Sequence, residues 1–191
     1  FHKTGNGYYE RSFSASLSTG KGTFTDIMLD DLYVGFGELN LHRLTQLHYK
    51  PGPEKVGMLF LFSGGMLMQH ESLSYEIGMD AQTHNLFYLN DYVGKKQWMC
   101  RYEEPLQAME ICFDPDYFVN LFPESELFMQ RFIKGVLNKK SSYLTRNTPA
   151  ITSQMMHIIH DIIHCDRPVA LKKLLISSRV MELLMLQLDQ V

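Results

Sequence analysis

Three histidines and an aspartate interrupt an apolar run in the stretch QMMHIIHDIIHC, residues 154–165. Imidazole and carboxylate groups bind transition metals, and His160 and His164, four positions apart, could chelate zinc. At 3.6 residues per helical turn, however, His157, His160, Asp161 and His164 fall on one arc, opposite the isoleucines. A metal centre also needs further converging ligands and partners that orient them, and the sequence supplies none. The pattern therefore favours a solvated helix face, and we expect neither a metal nor a cofactor.

Other reactive arrangements are incomplete as well. A cupin-type metalloenzyme would need a His-x-His pair, a nearby Glu and a later His, which His42, His48, His70 and His84 do not provide. The G-x-S-x-G pattern of a nucleophilic serine is missing. GNG and GTFTDIM lack the strand, glycine loop and helix of a phosphate site. We therefore expect a protein that is not an enzyme, with a cupin-type metal-dependent enzyme or metal-binding barrel as the alternative.

Length and composition suit one compact domain, or a domain with a helical appendage, because 45% of the 191 residues are hydrophobic. The net charge is −3 and the basic residues are scattered, which does not favour a nucleic-acid surface. Cys100, Cys112 and Cys165 have no C-x-x-C spacing, so a reducing, cytoplasmic location is expected. No apolar run approaches a membrane span, and the start has no signal pattern, so no membrane partner is expected.

The first part of the chain predicts strands. Residues 1–22, rich in Gly, Ser, Thr and Lys, predict a flexible N-terminal arm. Residues 23–113 contain short apolar or alternating runs separated by turn signals, which predict an antiparallel barrel or sandwich. The candidate strands are 26–29, 33–38, 43–49, 56–62, 66–70, 74–77, 85–89, 97–102 and 106–113.

The second part, residues 114–191, predicts four helices, so the fold class is α+β. Asp114 is the expected N-cap of the first helix, with Pro115 at its first position. The second helix is expected within residues 124–140. Thr148 and Pro149 are expected to open the histidine-bearing helix, and residues 167–191 form a last long helix.

Two segments resemble a known family. HNLFYLN, residues 84–90, and the final stretch, residues 158–191, resemble the N-terminal regions of AraC-type transcriptional regulators, especially the siderophore-responsive PchR-like subgroup. The final helices of that subgroup read similarly to this chain, in which Cys165 follows an Ile/His-rich helix and ELLMLQL lies near the C-terminal end. The likeness covers most of the chain after Thr23 and is specific in the last 35 residues.

The resemblance implies an effector-binding and dimerisation fragment of a bacterial regulator. It implies a cupin-like antiparallel β-barrel, of the double-stranded β-helix type, that senses a small-molecule effector over residues 23–113. Residues 114–191 would form a helical homodimerisation region. DNA would be contacted only through a helix-turn-helix domain absent from this chain. The effector's identity, and whether it activates or represses, stay open.

The effector cavity would be lined by alternate positions on each strand, and either parity fits. VGMLFLFSG is apolar on both parities, so Met58, Phe60 and Phe62 form one candidate face and Leu59 and Leu61 the other. Small-molecule sites combine large aromatic side chains with a few polar groups. The predicted ligand-binding set is Tyr33, Arg43, Tyr49, Phe60, Phe62, Met68, Tyr75, Trp98, Tyr102 and Glu110.

The last helix carries the predicted dimer interface. Leu174, Met181, Leu184, Met185 and Leu188 form one stripe, which is expected to cover the barrel or the isoleucine helix. Leu175 and Leu186 project from the opposite arc among charged side chains, as a second antiparallel helix would require. The predicted interface is Leu175, Arg179, Glu182 and Leu186.

Overall fold

Side chains that alternate between two faces, separated by short turns, build most of the first 113 residues into antiparallel strands. The computed structural model describes residues 7–49, 54–70, 73, 75–90, 96–123 and 127–191. Within these residues, eleven strands form two antiparallel sheets, and four helices lie in the C-terminal part. The predicted α+β class is therefore confirmed.

The larger sheet has seven strands. They are β1 (Tyr8–Leu17), β2 (Gly20–Leu29), β3 (Leu32–Leu41), β5 (Lys55–Ser63), β8 (Thr83–Leu89), β10 (Leu106–Phe113) and β11 (Ser142–Tyr143). Their order across the sheet is β1-β2-β3-β10-β5-β8-β11.

The smaller sheet contains β4 (Thr45–Tyr49), β6 (Gly65–His70), β7 (Ile77–Asp80) and β9 (Lys96–Cys100). Its order is β4-β9-β6-β7. The helices are α1 (Pro115–Asn120), α2 (Leu127–Leu137), α3 (Ser153–Ile163) and α4 (Val169–Leu188).

The prediction of a flexible arm is wrong for residues 8–22. β1 pairs with β2 along its whole length, with Arg11 opposite Asp26 and Phe13 opposite Phe24. The run of small polar residues in β1 suggested a loop, but this strand lies at the edge of the sheet and is largely exposed. An exposed edge strand needs no continuous apolar pattern, which is why the hydropathy of the sequence does not reveal it.

A second prediction, the strand at 74–77, is displaced. β7 begins at Ile77. From there the side chains alternate, with Ile77 and Met79 buried in the core and Gly78 and Asp80 exposed. Elsewhere the predicted strands overlap the observed ones, with ends that differ by a few residues. The exception is β2, which extends six residues before the predicted start.

The two sheets enclose one hydrophobic core. The larger sheet contributes Leu59, Leu61 and Phe87, and the smaller sheet contributes Met66 and Met79. Leu59 and Leu61 therefore face the space between the sheets, which answers the parity question left open by the sequence.

The other face of the larger sheet packs against the helices. Met58 and Phe60 point to this side, where they join Ile158 and Ile159 of α3 and Val180 of α4 in a second core. The larger sheet is therefore buried on both faces at its centre, which explains why β5 is apolar on both parities.

Helix capping agrees with the sequence at α1 and differs at α3. Asp114 Oδ1 accepts hydrogen bonds from the Asp116 and Tyr117 amides at 2.9 and 3.2 Å, as predicted for an N-cap. The N-cap of α3 is Thr152, whose Oγ1 accepts from the Met155 amide, so the predicted start at residues 148–149 is wrong. Residues 149–151 instead form backbone hydrogen bonds to the start of β8.

The face of α3 that carries His157, His160 and His164 is exposed, as the sequence predicts. The buried residues of the helix are Met155, Ile158, Ile159 and Ile162.

The wheel analysis of α4 is right for Leu184, which is buried, and wrong for Leu174 and Met185, which are exposed. Leu174 and Met185 are the most exposed large apolar side chains of this helix, at 69% and 61%. Leu175 and Leu186 are instead partly buried against the protein's own core. The buried arc centres on Val180 and includes the polar Gln187, a position that hydropathy assigns to solvent.

Among the described residues, no helix has both the length and the apolar composition needed to cross a membrane.

Asn85 attaches the segment before α3 to β8. It is 1% exposed, its amide donates to the Thr145 carbonyl at 3.1 Å, and its carbonyl accepts from the Leu86 amide at 2.9 Å. We predict that Asn85→Ala lowers the free energy of unfolding by about 2–3 kcal/mol, because buried groups lose their partners. Urea denaturation measures this loss.

The matched control is Asn40→Ala, because Asn40 is exposed and its side chain bonds Glu38. This substitution is expected to change stability by less than about 0.5 kcal/mol. Equal effects of the two substitutions would contradict the role assigned to Asn85.

Candidate functional site

A cavity of about 310 Å³ is lined by residues of β1, β2, β3 and β10, by Leu59 of β5 in the same sheet and by Met66 of β6 in the smaller sheet. This volume is at the lower end of the range of about 300–1,000 Å³ that small-molecule sites occupy. The lining residues are mostly apolar. They are Phe13, Leu17, Phe24, Asp26, Tyr33, Gly35, Phe36, Gly37, Leu39, Leu59, Met66, Leu106, Ala108 and Glu110.

Two glycines of β3 make room for aromatic side chains of the cavity wall. A Cβ atom added at Gly35 would lie 2.3 Å from the Tyr33 hydroxyl oxygen. One added at Gly37 would lie 2.3 Å from the Thr23 carbonyl oxygen and 2.7 Å from the Phe24 ring. Glycine within a strand marks such close approaches. The absence of a side chain at Gly35 and Gly37 therefore lets Tyr33 and Phe24 approach the β3 backbone closely.

Asp26 is the centre of one polar group in the wall. It is 7% exposed; its Oδ1 accepts from the Tyr33 hydroxyl at 2.7 Å, and its Oδ2 accepts from Arg11 Nε and Nη2 at 2.8 and 2.7 Å. The Arg11 guanidinium also lies over the Phe13 ring, 5.0 Å from its centroid. The buried carboxylate is thus paired with a cation from the edge strand.

Glu110 forms the second polar group, and its Oε1 accepts from Lys55 Nζ at 2.9 Å. Tyr33 lies near both carboxylates. Burial raises the pKa of Tyr33, and the hydrogen bond to Asp26 and the charges of Asp26 and Glu110 raise it further. Tyr33 therefore stays protonated at neutral pH, and its hydroxyl donates a hydrogen bond to Asp26.

Of the predicted ligand-binding set, the structure brings Tyr33 and Glu110 to the cavity. Phe60 and Phe62 point to the helix side of the larger sheet, because β5 presents Leu59 and Leu61 inward. Their assignment to a barrel cavity is therefore corrected.

The other members of that set lie away from the cavity, or their side chains lie outside the described residues. Met68 is buried between the sheets but does not line the cavity, and Tyr75 packs against Tyr143 with the Arg146 guanidinium over its ring. Arg43 and Tyr102 are exposed. The side chains of Tyr49 and Trp98 lie outside the described residues.

Sequence reasoning missed Asp26 and the residues of β1 that line the cavity. Phe13 and Leu17 fell within the supposed arm, and Asp26 was placed in a strand without a role. The sequence does contain a signal for this hairpin. Taking residues 18 and 19 as a turn places Arg11 opposite Asp26 and Phe13 opposite Phe24, which are favourable cross-strand pairs.

Polar contacts link the sheet to α4. His84 of β8 and Gln187 of α4 are both buried, and their Nδ1 and Nε2 atoms lie 2.8 Å apart. Within the described residues, His84 Nε2 and Gln187 Oε1 have no hydrogen-bond partner. Burial lowers the pKa of His84 to about 4, so its imidazole is neutral in the folded protein at pH 7.

Two ion pairs connect α4 to the larger sheet, one at β1 and one at the turn between β2 and β3. Lys172 Nζ lies 2.8 Å from Glu10 Oε2, and Lys173 Nζ lies 3.1 Å from Asp30 Oδ2. The hairpin that forms one wall of the cavity therefore contacts the longest helix. In the part of the chain that the structure describes, His, Cys, Asp and Glu side chains form no group of three that could hold a metal ion.

The family model described as the regulatory protein PchR N-terminal domain matches residues 28–191. No curated protein sequence matches the chain.

Several solved structures are similar. The AraC-like transcriptional activator CuxR has a TM-score of 0.51 and 8% sequence identity, over 86% of this chain and 55% of that chain. This chain thus spans about half the length of that regulator. A cupin protein from Bacteroides fragilis has a TM-score of 0.34 and 14% identity, over 45% of this chain and 68% of that chain. The bacterial pirin YhhW from Escherichia coli has a TM-score of 0.45 and 10% identity, over 76% and 58%.

At these identities the structural likeness concerns the fold alone. The predicted order of parts, an antiparallel β module followed by helices, is confirmed. In the described residues the β module consists of two facing sheets and not of one closed barrel.

The buried His84 predicts a dependence of stability on acid. Its pKa is about 4 when folded and about 6.5 when unfolded, so its contribution is complete above pH 6.5 and decreases as the pH falls towards 4. Because one pKa unit corresponds to about 1.4 kcal/mol, we predict that His84 accounts for a loss of about 2–3 kcal/mol between pH 7.5 and 4.5. Urea denaturation of wild type and His84→Gln across this range measures it.

The matched control is His157→Gln, which changes an exposed histidine of α3 and is expected to keep the wild-type pH dependence. If His84→Gln loses stability with acid as steeply as wild type, another group is responsible.

Proposed function

Because the chain belongs to the family of the PchR regulatory N-terminal domain, we propose that its cavity binds a small-molecule effector that controls an attached DNA-binding domain. The chain is the regulatory N-terminal domain of an AraC-like regulator. In this proposal it acts in the cytoplasm and reaches DNA through that attached domain. The effector changes transcription and is not converted by the protein.

The observation that carries the proposal is that one hairpin forms a wall of the cavity and also contacts α4. Phe13, Leu17, Phe24 and Asp26 of the hairpin line the cavity, and its Glu10 pairs with Lys172. An effector that binds one position of the hairpin more tightly than another increases the population of that position. The ion pair between Glu10 and Lys172 couples this change in the hairpin to α4. This route needs no change in the core between the sheets.

The alternative, a cupin-type metal-dependent enzyme, would require imidazole and carboxylate ligands that converge on one point. Among the described residues, the cavity wall contains the carboxylates of Asp26 and Glu110 and no histidine, and both carboxylates are paired with cations. Stoichiometric retention of a transition metal after chelation, measured by elemental analysis of the purified protein, would favour this alternative.

We further propose a homodimer formed through α4, with an interface different from the one predicted from the sequence. Leu175 and Leu186 pack on the protein's own core, and Arg179 pairs with Asp161 of α3 at 2.8 Å and with Glu182 at 2.6 Å. These four residues therefore hold the helices of one subunit together. The exposed stripe of α4 consists of Leu171, Leu174, Ser178, Met181 and Met185, of which Met181 is half-buried.

A second copy in antiparallel orientation fits this stripe. Ser178 is midway between Leu171 and Met185, so a two-fold axis at this small residue brings each leucine against the partner's methionine. Exposed Arg167 lies before the helix and exposed Asp189 after it, so antiparallel helices place opposite charges together.

For the cavity, we predict that a saturating effector stabilises wild type but not Ala108→Leu, whose larger side chain occupies the space. A thermal-shift screen of metabolites identifies the effector, because a ligand at a hundred times its Kd adds about 2.7 kcal/mol to stability. Ala81→Leu, in an exposed turn, is the control that keeps binding. Equal stabilisation of Ala108→Leu and wild type would place the effector elsewhere.

For the interface, we predict that wild type is a dimer at tens of micromolar, whereas the double variant Leu174→Glu and Met185→Glu is a folded monomer. Buried charges of one sign would repel each other across the two-fold axis. Sedimentation by analytical ultracentrifugation distinguishes the two states. Leu137→Glu, at an exposed position of α2, is the control that stays dimeric. A monomeric wild type, or a dimeric double variant, would contradict the proposal.

A further inference from the structure

The polar side chains of the cavity wall all carry oxygen, which determines the hydrogen-bonding groups that a ligand must have. Of the lining side chains, those of Asp26, Tyr33 and Glu110 carry oxygen, and the others are apolar or glycine. Arg11 and Lys55, the cations that pair with the two carboxylates, are not among the lining residues. The cavity therefore presents carboxylate and hydroxyl oxygens to its contents, and the Arg11 guanidinium lies over the ring of the lining residue Phe13.

All three of these side chains present hydrogen-bond acceptors. Carboxylates paired with cations accept and do not donate. Tyr33 has a single hydroxyl proton, and that proton is donated to Asp26 Oδ1 at 2.7 Å. Towards a ligand, the Tyr33 oxygen can therefore act as a hydrogen-bond acceptor but not as a donor. Backbone groups of β2, β3 and β10 at this level pair within the sheet.

Asp26 has room for one more donor. A carboxylate has about four lone-pair sites, and Asp26 uses three, for Tyr33 Oη, Arg11 Nε and Arg11 Nη2. A ligand with a carboxylate or phosphate at this end would instead face the two carboxylates, and no described side chain of the lining would offer it a donor. The wall therefore selects against anions and in favour of donors.

From this arrangement we infer that the effector has an apolar, ring-bearing body and a protonated amine that is bound by Asp26, Tyr33 and Glu110. The inference depends on the proposed function, since it assumes that the cavity is the effector site. The body would pack against Phe13, Phe24 and the aliphatic residues Leu39, Leu59 and Leu106, which supply flat and apolar surfaces. The charged amine would lie where it gains the strongest hydrogen bonds, those between ionised partners.

Three indoles that differ at one end test the inference. Tryptamine carries a protonated amine, tryptophol a hydroxyl and indole-3-propionate a carboxylate. Isothermal titration calorimetry of the purified chain with each compound gives the three Kd values. We expect tryptamine to bind most tightly, tryptophol less tightly and indole-3-propionate at least about tenfold more weakly than tryptamine. Tighter binding of the carboxylate, or no tryptamine binding at millimolar concentration, would overturn the inference.

The variant Glu110→Gln tests the carboxylate directly, because it keeps the shape of the side chain and removes its charge. We expect it to raise the Kd of tryptamine about tenfold or more and to leave that of tryptophol within about threefold. Glu103→Gln, at an exposed turn position outside the lining, is the matched control and should change neither value. An equal effect of Glu110→Gln on tryptamine and tryptophol would overturn the inference.

The outcomes separate the inference from the proposed function. If indole-3-propionate binds best and Ala108→Leu abolishes that binding, the cavity is a ligand site and the chemical class is wrong. If tryptamine binds equally well to Ala108→Leu and wild type, the site is elsewhere and both proposals fail.

Discussion

The structure depends on the burial of one sheet on both faces. The seven-stranded sheet packs against the smaller sheet on one side and against α3 and α4 on the other, so the middle of β5 is apolar on both faces. A strand with two apolar faces cannot change register or parity without placing large side chains in the wrong core. The rigid centre of the molecule follows from this constraint, and its adaptable parts lie at the margins of the sheet, where β1 forms the edge.

The sequence predicts those parts of the fold in which local patterns and tertiary burial agree. The Asp114 cap, the buried isoleucine face of α3 and most of the central strands were predicted from hydropathy and capping chemistry alone. The edge strand β1 was not, because it is stabilised by pairing with β2 and not by burial of its own side chains. The buried face of α4 was also mispredicted, since Gln187 is buried through its contact with His84, a partner 103 residues away.

The candidate site was less predictable than the fold for a related reason. Aromatic residues are common throughout the β module, and composition does not distinguish Phe60, which faces the helices, from Phe24, which faces the cavity. Gly35 and Gly37 make room for Tyr33 and Phe24 in the cavity wall, and a search for reactive groups does not select glycines. The charge pairs that surround it join residues from strands far apart in the chain, such as Lys55 and Glu110.

The position of β1 at the edge of the sheet determines how a molecule reaches the cavity. The described residues of β1 pair along the backbone with one strand, β2, whereas β10 pairs with both β3 and β5. Edge segments with exposed hydrogen bonds open locally at a lower free energy than the core, and amide hydrogen exchange reports that hierarchy. Phe13 and Leu17 therefore belong to the least protected wall of the cavity. Exchange of its contents can proceed by local fraying, at a rate independent of global unfolding.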